Sequence, residues 1–463
     1  MSAPPNLKLG SGQEAPSDGV MVLVVPLPAQ SHLNQLLTFV RLQIHARQAA
    51  HRFSGFDCTS LPNLRFHMLP FPQFPSLSPD PESSSKFPAH LQPSSNKFPA
   101  HLQPVFDAIE HLLAPLTVLV RDLASVVVIH DMGMSVAAGA AAESPNSEAY
   151  MYRCPSACFS LCFQSEGEGR PEPIPPGLPP PSFQNCVSES FMDFLQRTGR
   201  IQHLDRGVLH NTFHALEGQF LSKISQRSLG LHVWAVGRTL LLREEPQEPH
   251  KFHECLQWLS KQAPQSVLYI SFGTCHQGLE ASGKPFIWVL RHADKGNIFA
   301  GGGAEGPRGL PEGYEERVQG RGLMVRDWAS QLEILRHPST GGFLTHCRWN
   351  SCMESISMGV PIVEWPMHSD QPANAQLVAG VLGVGVGVKE WHEREDIVRA
   401  ERVEKAVRKL MGSGEGAEMK RKAAELRDAA RRAVGKGGTS RAALDSFLAH
   451  ISRPWSILPD SCP

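Results

Sequence analysis

The feature that most limits the fold of this chain is an alternation of short, continuous apolar runs with segments of helical character, present in both halves. The first run, GVMVLVVPLP, ends in proline, as a strand buried on both faces of a parallel sheet would. A polar turn, AQSHLNQ, and the apolar-periodic LLTFVRLQI follow it. Strand, loop and helix in that order open a doubly wound α/β domain. The pattern predicts further strands over 64–69, 126–129, 267–272, 286–291, 342–345 and 360–365, with His130 and Asp131 just past the end of the third run. Two α/β domains of similar size are expected. No apolar run approaches the roughly 20 residues that span a bilayer.

Residues 1–18 lack the apolar core and basic start of a signal peptide and are expected to form a disordered leader. The first domain is assigned to 19–235 and the second to 253–440, joined by an acidic, proline-bearing linker over 236–252. Residues 441–463 form a tail expected to pack back on the first domain. Proline-rich stretches at 69–104 and 170–181 predict long loops, and the first carries KFPAHLQP twice, at 86–93 and 97–104. Two copies are too few for a solenoid and indicate a duplication within a loop. From 399 to 432, good helix formers with interspersed charge predict solvated helices. The 44 Lys and Arg against 45 Asp and Glu leave a net charge of −1, which argues against a nucleic-acid partner. The ten cysteines show no zinc spacing, so reduced thiols in a cytoplasmic protein are expected.

The sharpest local signal is THCRWNSCMESISMG at 345–359, where a predicted strand turns into a helix. Ser351 and Glu354 have the S-x-x-E spacing of a capping box, with the helix expected to start near Ser351. Such a turn also presents unpaired N–H groups and the positive end of a helix dipole, which suit a phosphate. His346, Asn350 and Ser351 add side-chain donors there. Upstream, RDWASQLEIL supplies an indole at Trp328 and an amide at Gln331; downstream, Asp370 and Gln371 follow the strand over 360–365. Ligands in open α/β sheets sit beyond the carboxyl ends of strands. A stacking platform, a phosphate cradle and an acid/amide pair are what a sugar nucleotide requires. By contrast, GGGAEG at 301–306 has no helix pattern after it and is expected to be a loop, and GVGVGV at 383–388 a small-residue strand.

Residues 328–371 resemble, along their whole length, the signature box of plant family-1 UDP-sugar glycosyltransferases. PLPAQSHLNQLL, HNTFHALEGQF, SVLYISFGT and FIWVLRHADKG are similar in particular to the zeatin O-glucosyltransferases. The resemblance implies a GT-B fold, two Rossmann-like domains facing across a cleft with the acceptor N-terminal and the sugar nucleotide C-terminal. It implies that Trp328 stacks on the uracil, with the Ala329 backbone at the base edge. Gln331 and Glu354 would bond the ribose; Thr274, His346, Asn350 and Ser351 would hold the diphosphate; Trp349, Asp370 and Gln371 would contact the sugar. The family's catalytic histidine falls on His32 and its partner aspartate on Asp131. A base with pKa near 7 suits removal of a hydroxyl proton as the glycosidic bond forms, and a carboxylate on the far ring nitrogen fixes its tautomer. The implied partners are a UDP-sugar, UDP-glucose or UDP-xylose, and a small-molecule acceptor such as zeatin, with no metal, cofactor, nucleic acid or membrane. Oligomeric state is unreadable.

The chain departs from the family's pattern at several points. Ser31 and Arg348 stand where the family has glycine. The crossover GTCHQGLEASGKP is at the floor for a βαβ unit, about 10–12 residues, and is expected to displace Thr274. The usual second strand is missing after QIHARQAAHRF. Two readings therefore stay open: an inverting transferase with His32 as general base, or a catalytically impaired relative that only binds UDP-sugar or a small molecule.

Overall fold

Strands of the first half are β1 (Met21–Val25), β2 (Val126–Asp131), β3 (Ser147–Arg153), β4 (Asp205–His210) and β5 (His232–Ala235), ordered β1-β2-β3-β4-β5 and parallel throughout. The second half holds β6 (Val267–Ile270), β7 (Phe286–Val289), β8 (Gly322–Val325), β9 (Thr340–Thr345), β10 (Ile362–Glu364) and β11 (Gly385–Gly387), ordered β11-β10-β9-β6-β7-β8 and also parallel. The computed structural model describes residues 21–27, 32, 35, 36, 39, 69, 103–123, 126–170, 183, 189–228, 230–237, 253–271, 275–290, 310–326, 329–394 and 396–453.

The central strands are buried on both faces, as uninterrupted apolar runs demand: every residue of β2, β6, β7 and β9 is buried. β2 runs two residues beyond the apolar run, so Asp131 is its last residue and not part of the loop after it. β3, β4, β5 and β8 were not marked by a continuous apolar run; SEAYMYR and DRGVLH mix charge into the strand. β5 occupies the start of the acidic stretch after Leu231, while 238–252 of the expected linker lie outside the described residues. The predicted strand at 64–69, apart from Leu69, both KFPAHLQP copies except Gln103 and Pro104, and the GGGAEG segment lie outside them as well.

The short crossover between β6 and β7 does carry a helix, His276–Ser282, closed by Gly283 in the left-handed region (φ 68°). It docks tightly: a Cβ on Gly278 would lie 2.5 Å from Val403 Cβ and 2.7 Å from the Ala400 carbonyl of helix Ala400–Gly412. Glycine at this position lets a seven-residue helix cover the sheet.

The two halves share an apolar cluster in which Phe159, Leu216 and Phe220 of the first pack with Trp349, Met353 and Ile362 of the second. The last helix, Thr439–Ile451, crosses back to the first sheet. Its Phe447 ring stands 5.4 Å from Tyr150 and 5.2 Å from Trp234, and Arg453 pairs with Glu148 at 2.6 Å. Among the described residues no helix is long and apolar enough to cross a membrane.

Candidate active site

Parallel pairing of β1 with β2 brings the segment after β1 beside the carboxyl end of β2. There His32 and Asp131, 99 residues apart, meet with Nδ1 and Oδ2 at 2.8 Å. Asp131 is fully buried, whereas the His32 side chain keeps about a quarter of its surface (26%) exposed, enough to meet a substrate. Three donors hold the Asp131 carboxylate. His32 Nδ1–H and the Cys154 thiol (3.1 Å) both reach Oδ2, and the Gly133 N–H reaches Oδ1 at 2.9 Å. Burial alone would lower the His32 pKa, but the charge and hydrogen bond of Asp131 outweigh it and the net shift is upward from 6.5. Arg348 pushes the same pKa down and Asp370 pushes it up. For Asp131, burial acts upward, yet the His32 charge and hydrogen bond win and its pKa is lowered.

His32, Asp131 and Cys154 have ligating atoms within 4.8 Å of one another, the one such trio among the described residues. Two of those atoms already share protons with the third, so the trio is a hydrogen-bonded dyad with a supporting thiol. Burial and the neighbouring carboxylate hold the Cys154 pKa well above its ordinary value, which keeps the thiol protonated and poorly suited to a metal.

The second sheet reverses its strand order between β6 and β9, and the turn after β9 lies at that switch point. Helix Trp349–Met358 begins there with Arg348 as N-cap and no side-chain cap, and ends at Gly359 in the left-handed region. The expected capping box is therefore corrected: the helix starts two residues before Ser351, which sits in its first turn. Glu354 instead accepts from Gln331 Nε2 at 2.5 Å and Asn350 Nδ2 at 3.2 Å. A good cross-element donor outcompetes the local N–H. Arg348 has φ −60°, open to any L-residue, while the left-handed residue of the turn is Cys347 (φ 65°). A non-glycine residue at 348 thus costs no backbone strain.

Asp370 Oδ2 accepts from Asn374 Nδ2 at 2.8 Å and from the Trp349 N–H at 3.3 Å. Burial raises its pKa, against the opposing pull of Asn374, Arg348 and Trp349. Gln371 is buried, its Oε1 accepting from the Met367 and His368 N–H groups. His368 is held neutral, its pKa lowered to about 3 by burial and by Arg348. The Trp349 indole is buried (1% exposed) and its Nε1–H donates to the Asn211 carbonyl at 2.8 Å. The Trp349 ring is therefore core, and its backbone N–H is the group held against Asp370. Ala329 is buried beside Ile334, Leu335 and Phe343, and His346, Asn350 and Ser351 line the start of the helix. Trp328 and Thr274 lie outside the described residues.

Known proteins match this arrangement over nearly its whole length. A model of the glycosyltransferase N-terminal domain matches residues 18–96 and 92–239, and one of UDP-glucoronosyl and UDP-glucosyl transferase matches 275–412. Zeatin O-glucosyltransferase of Phaseolus lunatus is 43% identical, over 94% of this chain and 97% of the relative. The chain belongs to the UDP-glycosyltransferase family. Zeatin O-xylosyltransferase of Phaseolus vulgaris is 42% identical over 94% and 98% of the two chains. Among solved structures, a UGT transferase from Siraitia grosvenorii in complex with UDP is 27% identical, with TM-score 0.70 over 94% of this chain and all of that one. TcCGT1 in complex with UDP is 25% identical, with TM-score 0.72 over 93% and 99%. This member of the UDP-glycosyltransferases has the GT-B fold and uses a UDP-sugar as donor.

Around its site, the sequence did not mark Cys154, Asn211 or Asn374. Each acts through a buried hydrogen bond to a partner remote in sequence or across a helical turn, and only the i, i+4 spacing of Asp370 and Asn374 offered a local signal.

Proposed function

We propose that this enzyme transfers glucose, or xylose, from UDP to a hydroxyl of a small molecule of the zeatin type, with inversion, and that His32 is the general base. The observation that carries the reading is the 2.8 Å bond between His32 Nδ1 and the buried Asp131 carboxylate. It commits Nδ1 to donating and leaves Nε2 to accept the acceptor's hydroxyl proton. The acceptor oxygen attacks the anomeric carbon as the bond to UDP breaks, the proton passes to Nε2, and Asp131 stabilises the resulting imidazolium. UDP departs with its diphosphate at the turn 346–351, where helix N–H groups and the side chains of His346, Asn350 and Ser351 balance the growing charge, with Thr274 completing the cradle. Gln331 and Glu354, already in contact, present an amide and a carboxylate to the ribose hydroxyls; Trp328 and the Ala329 backbone take the uracil. Asp370, Gln371 and the Trp349 backbone face the sugar.

In this reading, residues 19–235 carry the acceptor and 253–440 the donor. Zeatin is favoured as acceptor by the two relatives above 40% identity, whose names give zeatin with glucose in one and xylose in the other. A cytoplasmic setting accords with the buried reduced thiols of Cys154, Cys158, Cys162, Cys347 and Cys352.

The test is to incubate purified protein with trans- or cis-zeatin and UDP-glucose or UDP-xylose in all four pairings, and to determine the anomeric configuration of the product. A β-linked O-glycoside is expected. Tight UDP-sugar binding with no product from any pairing would support the impaired relative instead.

A further inference from the structure

Polar groups buried at the seam between the halves form a continuous path. Asn211, the residue after β4, is 2% exposed. Its Nδ2 donates to Gln35 Oε1 at 2.5 Å, and Gln35 is a helical residue three positions beyond His32. Its carbonyl accepts the Trp349 indole N–H at 2.8 Å, and the Trp349 backbone N–H donates to Asp370. A second link crosses the seam: Ser156 Oγ–H donates to Asn374 Oδ1 at 2.7 Å, and Asn374 Nδ2 donates to both Asp370 Oδ2 and the Cys347 carbonyl. Both paths end at the same carboxylate.

We propose that Asn211 is a positioning residue that sets the spacing between the His32 base and the sugar-end carboxylate Asp370, through one hydrogen bond into each half. The proposal rests on the assignment of His32 and Asp370 made above. Apolar packing of Phe159, Leu216 and Phe220 against Trp349 and Met353 already joins the halves, but such contacts are non-directional and tolerate sliding. Hydrogen bonds between buried groups are directional, and leaving one partner unpaired is costly. They therefore define a single relative placement. In-line transfer needs that definition, because the attacking oxygen and anomeric carbon must meet at about 3–3.5 Å, and a misplacement of about 1 Å can cost on the order of 100-fold in rate.

Trp349→Phe keeps a buried ring and removes only the N–H that reaches Asn211. Gln35→Ala removes the bond on the other side. Each single variant is expected to lower kcat about 10-fold while leaving the Kd for UDP, measured by calorimetry, within about twofold. The double variant is expected to fall no further than the worse single, because either break releases the same constraint. A double loss equal to the product of the singles, a Kd that rises in step with the fall in kcat, or an unchanged kcat would each overturn the proposal. A second readout is independent of the acceptor. NMR titration of the His32 ring should show its midpoint move upward when UDP-glucose adds negative charge across the seam, and move less in Trp349→Phe. An equal movement in both proteins would overturn the proposal, even if the wild type transferred nothing to zeatin and only the functional reading had failed.

Discussion

Asp131, fully buried as the last residue of β2, and Asp370, half-buried in the loop after β10, stand one in each half, and their pKa values move in opposite directions. Burial pushes both upward. Asp131 faces an imidazole that becomes cationic when it takes a proton, and that charge, added to three hydrogen bonds, brings its pKa below the ordinary value. Asp370 accepts hydrogen bonds from the neutral donors Asn374 and Trp349 N–H and feels the charge of the exposed Arg348, yet burial prevails. Hydrogen bonds alone do not settle the charge of a buried carboxylate; a titratable partner in contact does. In the proposed mechanism this contrast suits the first half to taking up and passing a proton, and the second to orienting neutral hydroxyls and absorbing phosphate charge.

The deepest cut into this contrast is His32→Ala. It should lower kcat by about 10²–10⁴-fold while the Kd for UDP stays within about twofold by calorimetry; a parallel loss of UDP binding would erase the division between the halves. Asp131→Asn should cost about 100-fold in kcat. It should also move the acid limb of the pH profile of kcat/KM to lower pH, because the upward push on His32 is lost. In the unaltered enzyme kcat/KM should rise with pH as His32 loses its proton, with a midpoint above 6.5, the direction in which Asp131 shifts it. The donor half should respond differently. Glu354→Gln should raise the Kd for UDP about 10-fold, the loss of a charge-assisted hydrogen bond, and leave the acid limb where it was. Arg348→Gly should have the smallest effect, under threefold in kcat. It should nudge the acid limb to higher pH, since Arg348 acts to lower the His32 pKa. A large gain in UDP binding from that variant would instead mean that the guanidinium obstructs the phosphates.

The two halves also differ in how much of them was legible. The proposed donor elements lie within 328–371, where strand, turn, helix and the next strand follow one another, and local propensity with motif spacing anticipated that order. Even there the helix start was misplaced by two residues, because Glu354 bonds Gln331 and not a local N–H. The proposed base was identified by resemblance: a lone histidine in a loop after a strand carries no signal of an aspartate 99 residues away. β3, β4 and β5 escaped periodicity for a related reason. Their charged or polar residues, such as Glu148, Asp205 and His232, are accommodated by partners or exposure that the fold supplies. Likewise, the crossover is at the length floor for a βαβ unit, and what lets it keep a helix is the close approach permitted by Gly278 against Val403.

By itself, the sequence determined the class of architecture and the strand-to-helix turn after β9, because apolar run lengths, prolines and glycines act over a few residues and are read in order along the chain. Only the tertiary structure decided that Asp131 lies against His32, that the Trp349 ring belongs to the core, that Arg348 occupies an unstrained position, and that Asn211 bridges the halves. Each depends on which strands pair and which faces meet, and burial gives those contacts their energetic weight: a polar group removed from water must find its partner wherever the fold has placed one.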